Sequence, residues 1–312
     1  MHDADYLKYD INPRQESSYP LNWKKIFPES RPLGIEIGCG NGEYLARCAV
    51  LESSWNFVGI EMSLASCHRS QQRIYQQGLK NIRLIRDDAR FALREFFADK
   101  SIHHIVLNFP DPWPKDKHRD RRIFFGGFTS TVAAVLVDDG KLDIYTDQLW
   151  YAREAQEVFQ KLGAFRIEEV NKDPERLVST KYERKWRENL RNVYHFRAVK
   201  QHHVKVERIL KDTVMPHYFI EKNIKSLKIE KLSGYELKRD KQVFKIKEVY
   251  RRKDRQSFLM RTVAVDGDYL QNFFILAAVH EKGTIIKIDG GFQPYRTPAV
   301  KMAVEEIGKL LN

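Results

Sequence analysis

Apolar and polar positions along the chain form two textures. From residue 33, short apolar runs at 33–37, 57–60, 82–85, 102–107 and 141–145 have strand length. Between them, residues 44–51, 64–77, 91–97, 122–137 and 148–162 read as helices, with Gly78 placed to close the second. A final strand is predicted over 193–199. Strands alternating with helices at this rhythm predict βαβ units in a parallel, doubly wound sheet, with any ligand beyond the carboxyl ends of the strands. The first ~30 residues are polar, carry Pro13, Pro20 and Pro28, and read as an irregular arm.

Near residue 200 the texture changes. Residues 224–232, 242–250, 256–265, 269–281 and 284–289 read as strands, Asp266-Gly267 as a hairpin turn, and 298–311 as a closing amphipathic helix. The pattern predicts an arm over 1–30, an α/β domain over 31–204 and a smaller, mainly antiparallel α+β domain over 205–312.

The length of 312 residues suits two domains, and 42% hydrophobic with 31% charged residues suits a folded chain rather than a disordered one. No apolar run approaches the ~18 residues of a membrane helix, and the opening residues lack the regions of a signal peptide. Cys39, Cys48 and Cys67 form no CxxC pair and are odd in number, which argues against a disulfide scaffold or a zinc ribbon. They read as packing residues in a reducing, cytoplasmic protein that holds no metal.

Charge adds a partner. Of the net +12, residues 201–312 carry +8. Such an excess suits an anionic partner such as nucleic acid or a membrane surface, although plain solubility explains it equally well.

The chemistry lies in four motifs. Glu36-Ile37-Gly38-Cys39-Gly40-Asn41-Gly42 is a strand running into a glycine turn that opens a helix. The spacing is GxGxG, with Glu43 where a dinucleotide site has its third glycine. With an acid just ahead of the first glycine, this is the S-adenosylmethionine pattern of Rossmann-like methyltransferases. Glu61 ends the next strand and suits both ribose hydroxyls of a nucleoside cofactor. Asp88 follows the third strand and suits an adenine amine, with Asp87 its rival.

The third motif is Asn108-Phe109-Pro110-Asp111-Pro112-Trp113-Pro114-Lys115. Three prolines stiffen it and hold the Asp111 carboxylate and Trp113 at the mouth of the cleft. Lys117, His118, Arg119, Asp120, Arg121 and Arg122 follow at once. Cations at the start of a helix oppose its macrodipole, so the run calls for another reason to exist, and a phosphate backbone supplies one. The fourth motif, Thr180-Lys181-Tyr182-Glu183, alone reads as charged loop, and Asp147 ends the fifth strand at the same cleft.

Taken together, these motifs resemble the bacterial tRNA (guanine-N7-)-methyltransferase family over residues ~30–200. The resemblance rests on the FPDPW-x-K loop with its basic continuation, Thr146-Asp147, and Thr180 to Glu183. It implies a class I S-adenosylmethionine-dependent methyltransferase core acting on guanine N7 in tRNA, at position 46 of the variable loop. It implies cofactor contacts from Glu36, Gly38, Gly40, Glu61, Asp88 and Asp111, with Asp111 also the active-site acid. It further implies substrate contacts from Lys115, Asp147, Thr180, Lys181, Tyr182 and Glu183, and RNA contact from Lys117 to Arg122. Pro114 stands where a more flexible polar residue is common in the family, and the C-terminal domain makes this a long form.

Three other readings compete. An adenine or exocyclic-amine methyltransferase uses a D/N-P-P-Y/F loop, which Asp111 interrupts here. A small-molecule methyltransferase leaves the basic run unexplained. A non-catalytic RNA-binding protein on the same fold leaves the intact Glu36, Gly38, Gly40, Glu61 and Asp111 unexplained.

Overall fold

The computed structural model describes residues 6–176, 178, 192–253 and 256–312. The chain forms two compact units: Met1–Pro13 with Tyr19–Arg208, and Arg14–Ser18 with Ile209–Asn312.

The first unit begins with β1 (Asp10–Ile11) and the short α1 (Trp23–Ile26). It continues through β2 (Leu33–Ile37), α2 (Glu43–Leu51), β3 (Asn56–Ile60), α3 (Leu64–Gln76), β4 (Ile82–Ile85), α4 (Ala89–Phe96) and β5 (Ile102–Asn108). After a long loop come α5 (Phe128–Val135), β6 (Leu136–Thr146), α6 (Leu149–Leu162), β7 (Phe165–Ile167), β8 (Asn171–Lys172) and β9 (Tyr194–Lys200). The sheet order is β1-β4-β3-β2-β5-β6-β9-β7, with β8 beside β9. Pairing is parallel from β1 to β6 and antiparallel beyond. Every residue of β2 and β3 is buried, as expected where helices cover both faces of a parallel sheet. The order reverses at β2, which lies between β3 and β5. In doubly wound sheets this switch point opens a crevice beyond the strand ends.

Two predictions for this unit are corrected. The arm is not irregular throughout: Asp10 and Ile11 extend the sheet edge along Leu84 and Ile85, and Tyr9 packs with Ile74 and Leu84. The helix predicted over 122–137 is shorter, because Gly126 and Gly127 take φ values of +64° and +81° and interrupt it. The α-helix starts at Phe128, and Leu136 already pairs with Ile102.

The second unit holds β10 (His217–Ile220), β11 (Glu236–Arg239), β12 (Gln242–Arg251), β13 (Ser257–Asp266), β14 (Tyr269–His280), β15 (Gly283–Ile288) and α7 (Pro298–Leu311). Its sheet is antiparallel, in the order β10-β15-β14-β13-β12-β11. Val300, Ala303, Val304 and Ile307 of α7 share a core with Phe244, Phe258, Met260 and Phe273. No described helix covers the opposite face. The strand register places Lys245, Arg261 and Lys287 there with Tyr250 and Phe274. Residues 224–232, read as a strand, form two 3₁₀ turns instead. Asn223 caps the first by accepting from the Lys225 N–H, and Ile224, Ile229 and Leu232 plug the core. Their apolar spacing serves anchoring, not pairing.

Candidate functional site

The strand order sets the site. The carboxyl ends of β4, β3, β2, β5 and β6 lie side by side, and they carry Asp88, Glu61, the Gly38–Gly42 turn, the 109–115 loop and Asp147 in that order.

The glycine turn is tied to the end of β3. Gly38 and Cys39 donate to the Ile60 carbonyl, and Gly40 N–H donates to Glu61 Oε2 at 2.9 Å. The other Glu61 oxygen accepts from Ser63 N–H at 2.8 Å. Gly38 and Gly40 have φ values of +71° and +55°, and a Cβ on either would have nothing within 4 Å. These are left-handed positions beside open space, which glycine adopts without strain. From behind, Ser70 and Arg73 of α3 donate to the carbonyls of Gly40 and Asn41. The turn is therefore fixed, open on one side and flanked by a carboxylate. That arrangement fits the sugar and backbone-approach requirements of an adenosine-bearing cofactor.

Asp88 caps α4, its Oδ1 accepting from the N–H groups of Arg90 and Phe91. Its rival Asp87 is buried and accepts from Asp88 N–H, so Asp88 is the more accessible carboxylate.

Glu36 differs from the other acids. It is 3% exposed and lies on β2 beneath the turn, and Asn108 Nδ2 donates to its Oε1 at 2.8 Å. Among the described residues no donor reaches its Oε2 with hydrogen-bond geometry. Burial pushes its pKa up to about 8, and Asn108, the Arg176 charge and the Leu45 N–H offset burial only in part. Asn108 in turn accepts from Arg176 at 2.7 Å. The Arg176 guanidinium stacks on Tyr145 at 3.5 Å and lies 5.1 Å from the Tyr44 ring. One polar chain thus joins β2, the end of β5 and Arg176. Thr180, Lys181, Tyr182 and Glu183 themselves lie outside the described residues.

The loop after β5 is strained. Phe109 and Trp113 have φ values of +53° and +44°, which bulky residues rarely adopt. Phe109 N–H donates to the Tyr145 carbonyl, and its ring packs with Val106, Tyr145 and Val193. Asp111, between two prolines, is exposed, as are Lys115, Lys117, Arg119, Asp120 and Arg121. His118 is half-buried against the Trp113 ring. Asp147 is half-buried and accepts from Gln148 Nε2.

Two expectations about the basic run change. Residues Asp116–Arg121 form a 3₁₀ turn, and no described α-helix begins there, so the macrodipole objection does not apply. Arg122 does not face solvent with its neighbours: it is 3% exposed and donates into the loop and to Glu154.

Sequence reasoning did not single out Asn108, Arg176 and Tyr145 as members of the site, nor a second buried acid, Asp143. Asp143 accepts from His104, His195 and Arg197 at 2.6–3.0 Å. Burial alone would raise its pKa, but these bonds outweigh burial and hold the carboxyl well below its usual range. The His195 ring stacks on Tyr145 with centroids 4.4 Å apart. The signal for this cluster is strand register, which pairs Asp143 with Arg197 and Tyr145 with His195.

The cysteines are free thiols. Burial pushes the Cys48 thiol up to about 12 and the Cys67 thiol up to about 11, so neither is a ready nucleophile. Among the described residues no cluster of His, Cys, Asp and Glu is arranged to hold a metal, and no helix is long and apolar enough to cross a membrane.

The chain resembles known proteins over most of its length. A family model described as "Putative methyltransferase" matches residues 30–196. The tRNA (guanine-N(7)-)-methyltransferase of Thermotoga maritima is 35% identical over 307 residues, covering 98% of this chain and 97% of its own. The protein of the same name from Coprothermobacter proteolyticus is 32% identical over 301 residues, covering 94% and 91%. Another, from Staphylococcus saprophyticus, is 30% identical over 200 residues, covering 62% of this chain and 94% of its own.

Proposed function

The chain belongs to the tRNA (guanine-N(7)-)-methyltransferase family, and from that premise we propose that it methylates guanine N7 in tRNA, at position 46 of the variable loop. S-adenosylmethionine is its cofactor and supplies, when bound, an electrophilic methyl group on a sulfonium. Guanine N7 carries an exposed lone pair and needs no prior deprotonation. The work left to the chain is alignment, and correct orientation alone is worth about 7–11 kcal/mol.

Each strand end takes one part of that task. Glu61 accepts from the ribose hydroxyls, and Gly38 and Gly40 let the backbone approach the cofactor. Asp88 serves the adenine edge with the oxygen not used for capping. Glu36 acts from below, as the buried support of the turn. Asp111 and Asp147 accept from guanine N1–H and its exocyclic amine, and they stabilise the positive charge that develops on the base. Lys115, Thr180, Lys181, Tyr182 and Glu183 complete the substrate side. Lys117, His118, Arg119, Asp120 and Arg121 meet the RNA backbone, offsetting the few kcal/mol needed to extract the base from its stack. Residues 31–204 carry the transfer in the cytoplasm, and the basic 205–312 part docks RNA.

The observation that carries this reading is the row of five adjacent strand ends at the switch point, joined by the Gly40–Glu61 hydrogen bond. The test is to methylate unmodified tRNA, digest it and identify the nucleoside. We expect 7-methylguanosine, mapping to position 46. A methylated exocyclic amine instead would refute the proposal.

A further inference from the structure

Arg122 closes the basic run in sequence, but its surroundings are those of an internal strut. Its side chain is 4% exposed, against 53% for Arg119 three residues earlier. All three guanidinium nitrogens are engaged. Nε donates to the carbonyls of Pro112 and Trp113 at 3.2 Å, Nη2 donates to Trp113 at 3.1 Å, and Nη1 donates to Glu154 Oε2 at 2.5 Å. The Trp150 ring of α6 lies 4.8 Å from the guanidinium. With each nitrogen turned inward and the side chain 4% exposed, the guanidinium has almost no surface to offer a phosphate.

The loop needs such a partner. Pro110, Pro112 and Pro114 have no N–H, so the loop supplies few donors for its own carbonyls. Trp113 sits at φ +44° ahead of a proline, where the backbone is restricted further. A backbone in a sparsely populated region persists only when its surroundings over-determine it. The fork of Arg122 binds both carbonyls on the C-terminal side of Asp111 and anchors them to Glu154. A lysine, with a single point charge, does not reproduce that geometry.

We infer that Arg122 is a positioning residue for methyl transfer, holding the 109–115 loop in the strained conformation that presents Asp111. The inference rests on the proposed role of Asp111, and it removes Arg122 from the RNA-contacting set. The two roles predict different losses. A strut acts on turnover, since misplacing a reacting group by about 1 Å costs about a hundredfold. A phosphate contact acts on affinity and reduces the salt slope of binding by about one.

The experiment compares Arg122→Met, Arg122→Lys and Arg121→Ala in the full chain. It measures kcat at saturating tRNA, tRNA dissociation constants at several salt concentrations, the affinity for S-adenosylhomocysteine and the melting temperature. For Arg122→Met we expect kcat to fall about a hundredfold with the salt slope of the parent. Arg122→Lys keeps the charge and loses the fork, so its kcat is expected to fall about tenfold with tRNA and S-adenosylhomocysteine affinities unchanged. Arg121→Ala is expected to flatten the salt slope. Should Arg122→Met not fold, Arg122→Lys decides alone: parental kcat in it overturns the inference. Parental kcat with a flattened slope in Arg122→Met also overturns it and returns Arg122 to the RNA surface. The proposed function stands or falls separately, on the nucleoside that the parent enzyme makes.

Discussion

The two sheets of this protein display side chains in opposite ways. The first is parallel at its centre, buried on both faces, and offers chemistry only where strands end. The second is antiparallel, carries one helix on one face, and offers the other face broadside. A strand end holds a few groups at hydrogen-bond distance, as the 2.9 Å Gly40–Glu61 bond does. The other face of the second sheet spreads its charges over many residues, and of Lys245, Arg261 and Lys287 only Lys245 is held in an ion pair among the described residues, with Glu236 at 2.8 Å. The first suits a reaction centre, the second an extended polyanion. The match with the relative from Staphylococcus saprophyticus covers 62% of this chain and 94% of that protein, so that relative has little length beyond what the two share.

The sharpest way to break the contrast is at Asp111. Asp111→Ala is expected to lower kcat about a thousandfold, near the upper value for removing one electrostatic group from a reaction centre, with the fold and most of the cofactor affinity retained. Near-normal turnover would take Asp111 out of the centre.

Next is Glu36. Its pKa of about 8, against an ordinary 4.5, means that the folded chain keeps a proton that the unfolded chain releases. The stabilisation is complete below pH 4.5 and is lost as pH rises through 8, a change of roughly 3–5 kcal/mol. Glu36→Gln should remove that loss, so the gap in unfolding free energy between variant and parent should widen from pH 5 to pH 8. A gap independent of pH would show that Glu36 is ionised in the fold.

Glu61→Ala is expected to raise the cofactor dissociation constant about ten- to a hundredfold, the loss of a charge-assisted hydrogen-bond site worth ~1.5–3 kcal/mol. Calorimetry measures it, and an unchanged constant would leave Glu61 as a support of the turn alone.

The smallest effect belongs to the second sheet. Replacing Lys245, Arg261 and Lys287 together by Ala should flatten the salt dependence of tRNA affinity by up to about three, with cofactor affinity and melting temperature nearly unchanged. Equal slopes would make the open face a bystander.

How far the sequence carried these features depends on the range of the interaction. Short apolar runs marked β2 to β6 because a buried parallel strand writes its burial into consecutive residues. Helix 298–311 was legible from amphipathic spacing and the proline at its start. The turns at 224–232 were not, since Ile224, Ile229 and Leu232 are as apolar as a strand requires and only the core they enter distinguishes them. At the site, Gly38, Gly40, Glu61 and Asp111 were legible because each sits in a short motif. The Glu36–Asn108–Arg176 chain was not, because Asn108 and Arg176 are 68 residues apart and meet only through strand order. Aromatics among the basic residues of 201–312 are ambiguous in sequence for the same reason: Phe244 and Phe258 are core, while Tyr250 is 41% exposed on the face opposite α7.

The division of the arm has a consequence for how the protein is made. Arg14–Ser18 belong to the second unit, although Tyr19 onward belongs to the first. The Arg14 guanidinium lies 4.1 Å from the Tyr295 ring, and the Arg14 carbonyl accepts from Arg296, 282 residues later. During synthesis this segment leaves the ribosome 282 residues before Arg296 does. At ~5–20 residues per second, that interval is on the order of tens of seconds. The first unit can complete its sheet in that time, whereas the seat of Arg14 beside Tyr295 and Arg296 exists only once those residues have been made.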